Sequence, residues 1–374
     1  MLSEEYKKVS QIKQKILNKK RITFEEGLFL YSSNDLLTIG SLGRLAREVK
    51  SGFDKSKWVY WNKNLHLNPT NVCIGRCNFC AFAKLPNEKG AYTYTIDEAL
   101  ERVQKGVNGG ATEVHIVGGL NPKAALPYYT DLLKAIKHKF PKLHIKAFTA
   151  VEIEFFAKLA KLNFEETLKQ LMDAGLDSMP GGGAEIFSKS VRDDTCPDKI
   201  PAERWLEIHG TAHKLGLKSN ATMLCGIGEK VEDRLDHMIQ LRNQQDKSKG
   251  FQTFIPLHCH YEDTEIAGTV EPITAFDSLK NIAVSRIILD NFDHIKAYWI
   301  QLGVGLAQVG LNFGADDLDG TIQEESITHA AGAEKRGLEK DFIQNLIKDA
   351  GYAPVERDTV YNVLEIPACV NHIQ

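Results

Sequence analysis

Leu65-His66-Leu67-Asn68-Pro69-Thr70-Asn71-Val72-Cys73-Ile74-Gly75-Arg76-Cys77-Asn78-Phe79-Cys80 runs from a strand-like stretch into a loop with three cysteines inside eight residues. Thiolates this close together suit one compact soft-metal centre. Three ligands rather than four leave that centre one short, and an open position is where chemistry can occur. Other readings of the loop each lack something. Reduced cysteines that only pack seldom fall so close together. A zinc site wants a fourth Cys or His at short spacing, and His66 lies back in the strand-like stretch. An electron-transfer cluster wants a fourth cysteine. The remaining cysteines, Cys196, Cys225, Cys259 and Cys369, are single and scattered.

The chain has 374 residues, enough for one large α/β barrel with an extension or for two ordinary domains. Apolar residues make up 43% and charged residues 25%, the proportions of a globular protein. The net charge of -3, without a basic tail or acidic block, argues against nucleic acid or an anionic membrane as partner. Met1-Leu2-Ser3-Glu4-Glu5 carries acids and no apolar core, unlike a secretory leader. No uncharged apolar run reaches membrane-spanning length. Seven cysteines, clustered rather than spread, point to a reducing cytoplasm rather than a disulfide framework.

Residues 1–60 read as helices. The stretch 4–18 places Tyr6, Val9, Ile12, Ile16 and Leu17 on one side. Thr23-Phe24-Glu25-Glu26 has the form of a capping box, and Asp35 can cap a third helix that stops near Gly52. From Leu65 onward, short β-branched or apolar runs alternate with longer helical ones, the signature of βα units and a parallel sheet. Strands are expected at 65–68, 113–117, 144–148, 178–179, 218–223, 252–256, 295–299 and 307–312. This predicts an α/β fold, a (β/α)8 TIM-type barrel over residues 61–323. A helical N-terminal extension (1–60) precedes it, and a C-terminal extension (324–374) packs on it.

A barrel of this kind carries its functional residues just past the strand C-termini. The cysteine loop follows the first strand, and Val117-Gly118-Gly119-Leu120 follows the second. Thr149-Ala150-Val151-Glu152 follows the third, and Pro180-Gly181-Gly182-Gly183-Ala184-Glu185 the fourth. Gly118-Gly119 lets backbone approach a ligand closely; alone, it is a plain turn. Glu152 stands among apolar neighbours, where a carboxylate is costly to desolvate unless it meets a donor such as a ribose hydroxyl or an ammonium. A helix N-terminal acid is the other reading. The triple-glycine loop lacks the lysine and hydroxyl of a phosphate-binding P-loop. Gly182, Gly183 and Glu185 could instead line a cavity for a polar substrate, or serve only as a turn. Arg286 and Lys296 could pair with substrate carboxylates, although Arg286 with Asp290 could simply hold a helix end. His258 and His260 are candidate acid–base or ligand contacts, or satisfied structural histidines.

The cysteine spacing, with Phe79 just before Cys80, resembles that of the radical S-adenosylmethionine enzymes. The resemblance implies that Cys73, Cys77 and Cys80 hold three irons of a [4Fe-4S] cluster, with S-adenosylmethionine chelating the fourth. It also implies that Gly118 and Gly119 meet the methionine amino group of that co-substrate, with Glu152 beside them. Four further stretches look like a subgroup acting in menaquinone and deazaflavin biosynthesis: Asn68-Pro69-Thr70-Asn71-Val72-Cys73, Pro180-Gly181-Gly182-Gly183-Ala184-Glu185-Ile186, Asp290-Asn291-Phe292 and Asp317-Leu318-Asp319-Gly320-Thr321. Within it, His115-Ile116-Val117-Gly118-Gly119-Leu120 and Lys146-Ala147-Phe148-Thr149-Ala150-Val151-Glu152-Ile153 look most like the aminofutalosine synthases.

That resemblance implies a transferase. An electron from reduced flavodoxin or ferredoxin cleaves S-adenosylmethionine to methionine and a 5′-deoxyadenosyl radical. The radical adds to the enol-ether double bond of the aromatic dicarboxylate 3-[(1-carboxyvinyl)oxy]benzoate, giving 6-amino-6-deoxyfutalosine with loss of carbon dioxide or bicarbonate. Dehypoxanthine futalosine cyclase and the deazaflavin-precursor synthases are the alternatives inside the subgroup; a non-catalytic iron–sulfur or zinc protein is the alternative outside it. The chain departs from the subgroup at Asn121, where histidine is common, and at Cys225-Gly226-Ile227-Gly228-Glu229, where Tyr-Gly-His-x-Glu is common.

Overall fold

The computed structural model describes residues 4–52, 54–322, 326–330 and 337–366. Parts of the expected C-terminal extension, Cys369 included, lie outside the described residues. Three helices lead: α1 (Glu4–Leu17), α2 (Phe24–Ser32) and α3 (Leu36–Ser51). Thr23 and Glu26 form the expected capping box on α2, and Asp35 and Gly52 cap α3 at its two ends. Then come β1 (Trp58–Asn62), β2 (Asn64–Leu67), α4 (Ile96–Asn108), β3 (Glu113–Ile116), α5 (Leu126–Lys139), β4 (His144–Ala147), α6 (Ala150–Ala160), α7 (Phe164–Asp173) and β5 (Ser178–Met179). The chain continues through α8 (Lys189–Thr195), α9 (Ala202–Lys214), β6 (Lys218–Cys225), α10 (Val231–Ser248), β7 (Phe251–His258), α11 (Ala275–Ile288) and β8 (His294–Ile295). It closes with α12 (Trp299–Leu302), α13 (Val304–Gly310), a 3-10 turn (Leu311–Phe313), β9 (Asp317–Gly320), α14 (Ile327–Ala330), α15 (Lys340–Asp349), β10 (Ala353–Arg357) and β11 (Val363–Glu365).

Strands β2 to β8 form one seven-stranded parallel sheet in sequence order, curled into a half-barrel with helices outside, one strand short of the expected (β/α)8 barrel. The pleat explains how it is filled. Leu65, Leu67, Val114, Ile116, Ile145 and Ala147 are buried in the apolar core. Gly106 of α4 lies so close to Leu65 that a Cβ there would meet its Cδ2 at 2.5 Å. The alternate residues His66, His115 and Lys146 pair in register across β2, β3 and β4 and face the lumen.

The eighth expected strand, 307–312, is helical. Ala307, Gly310 and Leu311 are buried at helical spacing, and a Cβ on Gly310 would stand 2.8 Å from Ile282 Cδ1. Its place beside β8 goes to β9: Asp316 N–H donates to Ile295 O (3.0 Å) and Ala297 N–H to Asp317 O (2.8 Å). On its other side β9 runs parallel to β1, which the sequence reading had not placed and which leads directly into β2. β1 also pairs with β10, and β10 with the antiparallel β11. The strand expected at 295–299 is short, because Trp299 already opens α12. Among the described residues no helix is long and apolar enough to cross a membrane.

Candidate functional site

A cavity of about 340 Å³ opens at the C-terminal ends of the strands. The loop after β2 forms part of its rim, with Cys73, Cys77 and Cys80 free, half-buried and all lining it. The loop is strapped down on several sides. Cys73 N–H donates to Lys84 O (2.9 Å), Ile74 N–H to Leu120 O (3.1 Å) and Asn78 N–H to Thr195 O (3.0 Å). Arg76 N–H reaches Asp198 Oδ2 at 2.9 Å. Burial pushes the Cys77 thiol up to about 12, so a metal must displace its proton to bind it. The Lys199 ammonium acts against that rise; it is ion-paired with Glu185 and stands 5.3 Å from the Phe79 ring centre. Among the described residues no three Cys, His, Asp or Glu side chains converge on a point that would hold a single metal ion.

Gly118 and Gly119 line the cavity beside the cysteine loop, and their lack of side chains serves packing directly. A Cβ on Gly119 would meet Val72 O at 2.2 Å and Cys73 Cβ at 3.0 Å, while its N–H donates to Thr70 O at 2.9 Å. The glycine pair therefore lies flat against the backbone that presents the cysteines. Glu152 joins this assembly from α6. Its Oε2 accepts from Thr149 N–H (2.7 Å) and Thr149 Oγ1 (2.8 Å), and its Oε1 accepts from Gly118 N–H (3.0 Å). It is the third residue of α6 and closes a capping box with Thr149, a helix N-terminal acid, but it is buried and lines the cavity. Desolvation raises it to about 7 against the pull of those donors.

The triple-glycine loop closes another side. A Cβ on Gly181 would meet Ala221 Cα at 2.8 Å, and Gly183 adopts φ +81°, so both positions need glycine. Gly182, Gly183 and Glu185 all line the cavity. The floor is polar, with His66, His115, Lys146, Asn220, Lys296 and Asp319 facing in. Lys146 is ion-paired with Glu113, and Lys296 Nζ lies 2.7 Å from Asp319 Oδ2. Burial would raise Glu113, but the Lys146 ammonium more than offsets it and holds the carboxyl down to about 2. Asp319 sits in left-handed backbone (φ 70°), braced by its N–H on Asp317 Oδ1.

Two of the expected residues do not line the cavity. His258 does not line the cavity; its Nδ1 lies 3.2 Å from Ser278 Oγ, outside the lumen. Its neighbour His260 does line it, with Nε2 2.9 Å from Gln301 O. Arg286 is also elsewhere, bonding Gly314 O, Asp293 O and Asp316 Oδ1 and so tying α11 to the start of β9. It holds structure together, but through Asp316; Asp290 pairs with Arg21 at 3.1 Å. The departures from the subgroup pattern lie off the cavity as well: Asn121 is buried against Thr93, and Cys225 and Ile227 are buried outside the lining. The reading of the sequence missed Lys199, Lys146, His115 and His66 as lining residues. For the last three a signal existed: polar residues at every second position of otherwise apolar strands.

The cysteine loop, the glycine pair and Glu152 on one parallel barrel-type sheet find their match in known families. Residues 67–241 match the family model described as the radical SAM superfamily, and residues 248–370 the CofH/MqnC C-terminal region. The chain belongs to the radical SAM superfamily. An aminodeoxyfutalosine synthase from Thermus thermophilus is 45% identical over 359 residues, 95% of each chain. One from Streptomyces coelicolor is 40% identical over 95% of this chain and 93% of its own. A cyclic dehypoxanthine futalosine synthase from Streptomyces coelicolor is 36% identical over 92% of this chain and 86% of its own. Among solved structures, methylornithine synthase superposes with a TM-score of 0.74 at 16% identity, covering 92% of this chain and 97% of that one. It shares the fold. Radical SAM enzymes use a [4Fe-4S] cluster and S-adenosylmethionine, so the family implies both here.

Proposed function

We propose that this radical SAM enzyme is an aminofutalosine synthase. It joins the 5′-deoxyadenosyl group of S-adenosylmethionine to 3-[(1-carboxyvinyl)oxy]benzoate, giving 6-amino-6-deoxyfutalosine, methionine and carbon dioxide or bicarbonate. The observation that carries this is the 45% identity to an aminodeoxyfutalosine synthase across 95% of both chains.

Three thiols on one cavity wall, none paired in a disulfide, fit a cluster ligand set of Cys73, Cys77 and Cys80. When bound, the cluster supplies the electron that releases the radical from S-adenosylmethionine. In this reading Lys199 places positive charge beside the Cys77 thiolate. Gly118, Gly119 and Glu152 bind the methionine and ribose end of the co-substrate, Glu152 accepting from an ammonium or hydroxyl. The apolar walls keep water and stray hydrogen donors from the radical. Residues 61–323 then form the catalytic unit, and a reduced flavodoxin or ferredoxin in the cytoplasm is the electron source.

Anaerobic incubation of the reconstituted protein with reductant, S-adenosylmethionine and the benzoate enol ether, followed by mass spectrometry, tests the reading. The expected product is the adenosyl adduct minus one carboxyl group. Free 5′-deoxyadenosine without adduct would sink it in favour of a hydrogen-abstracting member of the subgroup.

A further inference from the structure

We propose that the cavity floor made by His115, Lys146 and Lys296 is a carboxylate seat, which takes the ring carboxylate of the aromatic substrate. The inference rests on the aminofutalosine synthase reading and adds to it an orientation and two residues, His115 and Lys146.

Barrel lumens are ordinarily filled by layers of branched apolar side chains. Here the layer below the rim is polar and stays open to the cavity. His115 Nε2 is buried and has no hydrogen-bond partner among the described residues. A buried polar atom left in that state costs free energy unless a ligand or an ordered water supplies the partner. The two ammonium groups have capacity to spare, since each carries three N–H donors. Lys146 is paired with Glu113, but Glu113 is not part of the cavity lining and is held from behind by Asn62 Nδ2 at 3.3 Å. Lys296 is matched to Asp319, which does line the cavity but is held by Asn64 Nδ2 at 2.9 Å. Both counterions are thus anchored by other side chains.

Depth selects the group that reaches this seat. His115 precedes Gly118 by three residues along the chain, placing the floor about 10 Å below the rim at roughly 3.3 Å per residue. The double bond that is attacked must lie near the cysteine loop at the rim. The ring carboxylate is the acid farther from that double bond. Between rim and floor the walls include Val117, Leu224, Ile255 and Leu257, an apolar sleeve suited to a benzene ring.

The test is equilibrium binding to the anaerobically reconstituted enzyme with S-adenosylmethionine and no reductant, so that nothing turns over. The ligands are 3-[(1-carboxyvinyl)oxy]benzoate and its analogue with the ring carboxylate replaced by carboxamide. Wild type should bind the amide at least about tenfold more weakly, the scale of lost hydrogen bonds to a charged group. His115→Leu should weaken the acid by about tenfold and the amide by less than about twofold. The proposal is overturned if wild type binds acid and amide alike, or if His115→Leu weakens both equally. Wild type that forms the adduct yet shows no preference for the acid overturns this inference alone. Wild type that binds neither ligand overturns the functional reading with it. The amide comparison on wild type needs no variant to fold.

Discussion

The rim and the floor of the cavity both bury carboxylates, and they treat them in opposite ways. Glu152 at the rim accepts from Gly118 and Thr149, feels the Lys199 ammonium less than those donors, and is lifted by desolvation to about 7. Glu113 under the floor is equally buried but faces the Lys146 ammonium, and it stays down at about 2. The rim carboxylate is hydrogen-bonded by neutral dipoles, with no ion pair of its own among the described residues, and would gain from a cationic or hydroxyl-bearing ligand. The floor carboxylate already has its counterion. The rim carboxylate therefore lacks a full counterion, whereas each floor anion has an ammonium that keeps N–H donors to spare, beside a His115 Nε2 with no partner among the described residues.

Four experiments would break or sharpen this contrast. The largest effect is expected at the rim: Cys73→Ala should abolish cleavage of S-adenosylmethionine while leaving the far-ultraviolet circular dichroism of the barrel intact. Residual 5′-deoxyadenosine at a substantial fraction of the wild-type rate would remove Cys73 from the cluster set. At the floor, Lys146→Met strands Glu113 and should cost about 3–5 kcal/mol in urea unfolding, with most of it recovered in the Glu113→Gln/Lys146→Met pair. A double variant as unstable as the single would show that the charge match is not what holds the floor.

Acid–base behaviour separates the two carboxylates next. If ionised Glu152 receives the co-substrate, affinity for S-adenosylmethionine should rise roughly tenfold from pH 6 to pH 8, following ionisation near 7. In Glu152→Gln that rise should vanish; calorimetry at the two pH values decides. The smallest effect is on stability without S-adenosylmethionine. The folded pKa of Glu113 lies below its unfolded value, so its contribution is present above about 4.5 and is lost as pH falls toward 2. Glu152 is raised, so in the folded chain it keeps a proton that the unfolded chain releases. Its contribution is therefore full below about 4.5 and is lost as pH rises toward 7. Urea midpoints for Glu152→Gln should fall less than those of wild type between pH 5 and pH 7; parallel curves would mean that Glu152 is not held protonated.

The rim was largely legible in the sequence because its parts are contiguous. Cys73, Cys77 and Cys80 share one loop, Gly118 and Gly119 are adjacent, and Thr149 with Glu152 has the spacing of a capping box. Local spacing fixes local geometry, and a strand C-terminus fixes which end of the sheet these residues occupy. Seven of the eight expected strands also stand close to where the short apolar runs placed them, since a strand of a parallel sheet covered on both faces reads locally as such a run. The eighth did not, because Ala307, Gly310 and Leu311 fit a helix as readily as a strand once α11 offers a surface to pack on.

Only tertiary structure decided the floor. His115 and Lys146 meet because β3 and β4 pair in that register, and Lys296 meets Asp319 because β9, rather than 307–312, lies beside β8. The same long-range pairing took Arg286 out of the site, since its partner Asp316 lies thirty residues onward across the fold. A charged side chain near a strand end can face the lumen, a helix or a neighbouring sheet, and sequence spacing does not choose among them. The partner that neutralises it does, and that partner is set by which strands pair. The sequence by itself determined that a three-cysteine loop faces a glycine pair and an acid at one end of a parallel barrel-type sheet. The packing determined what lies beneath them.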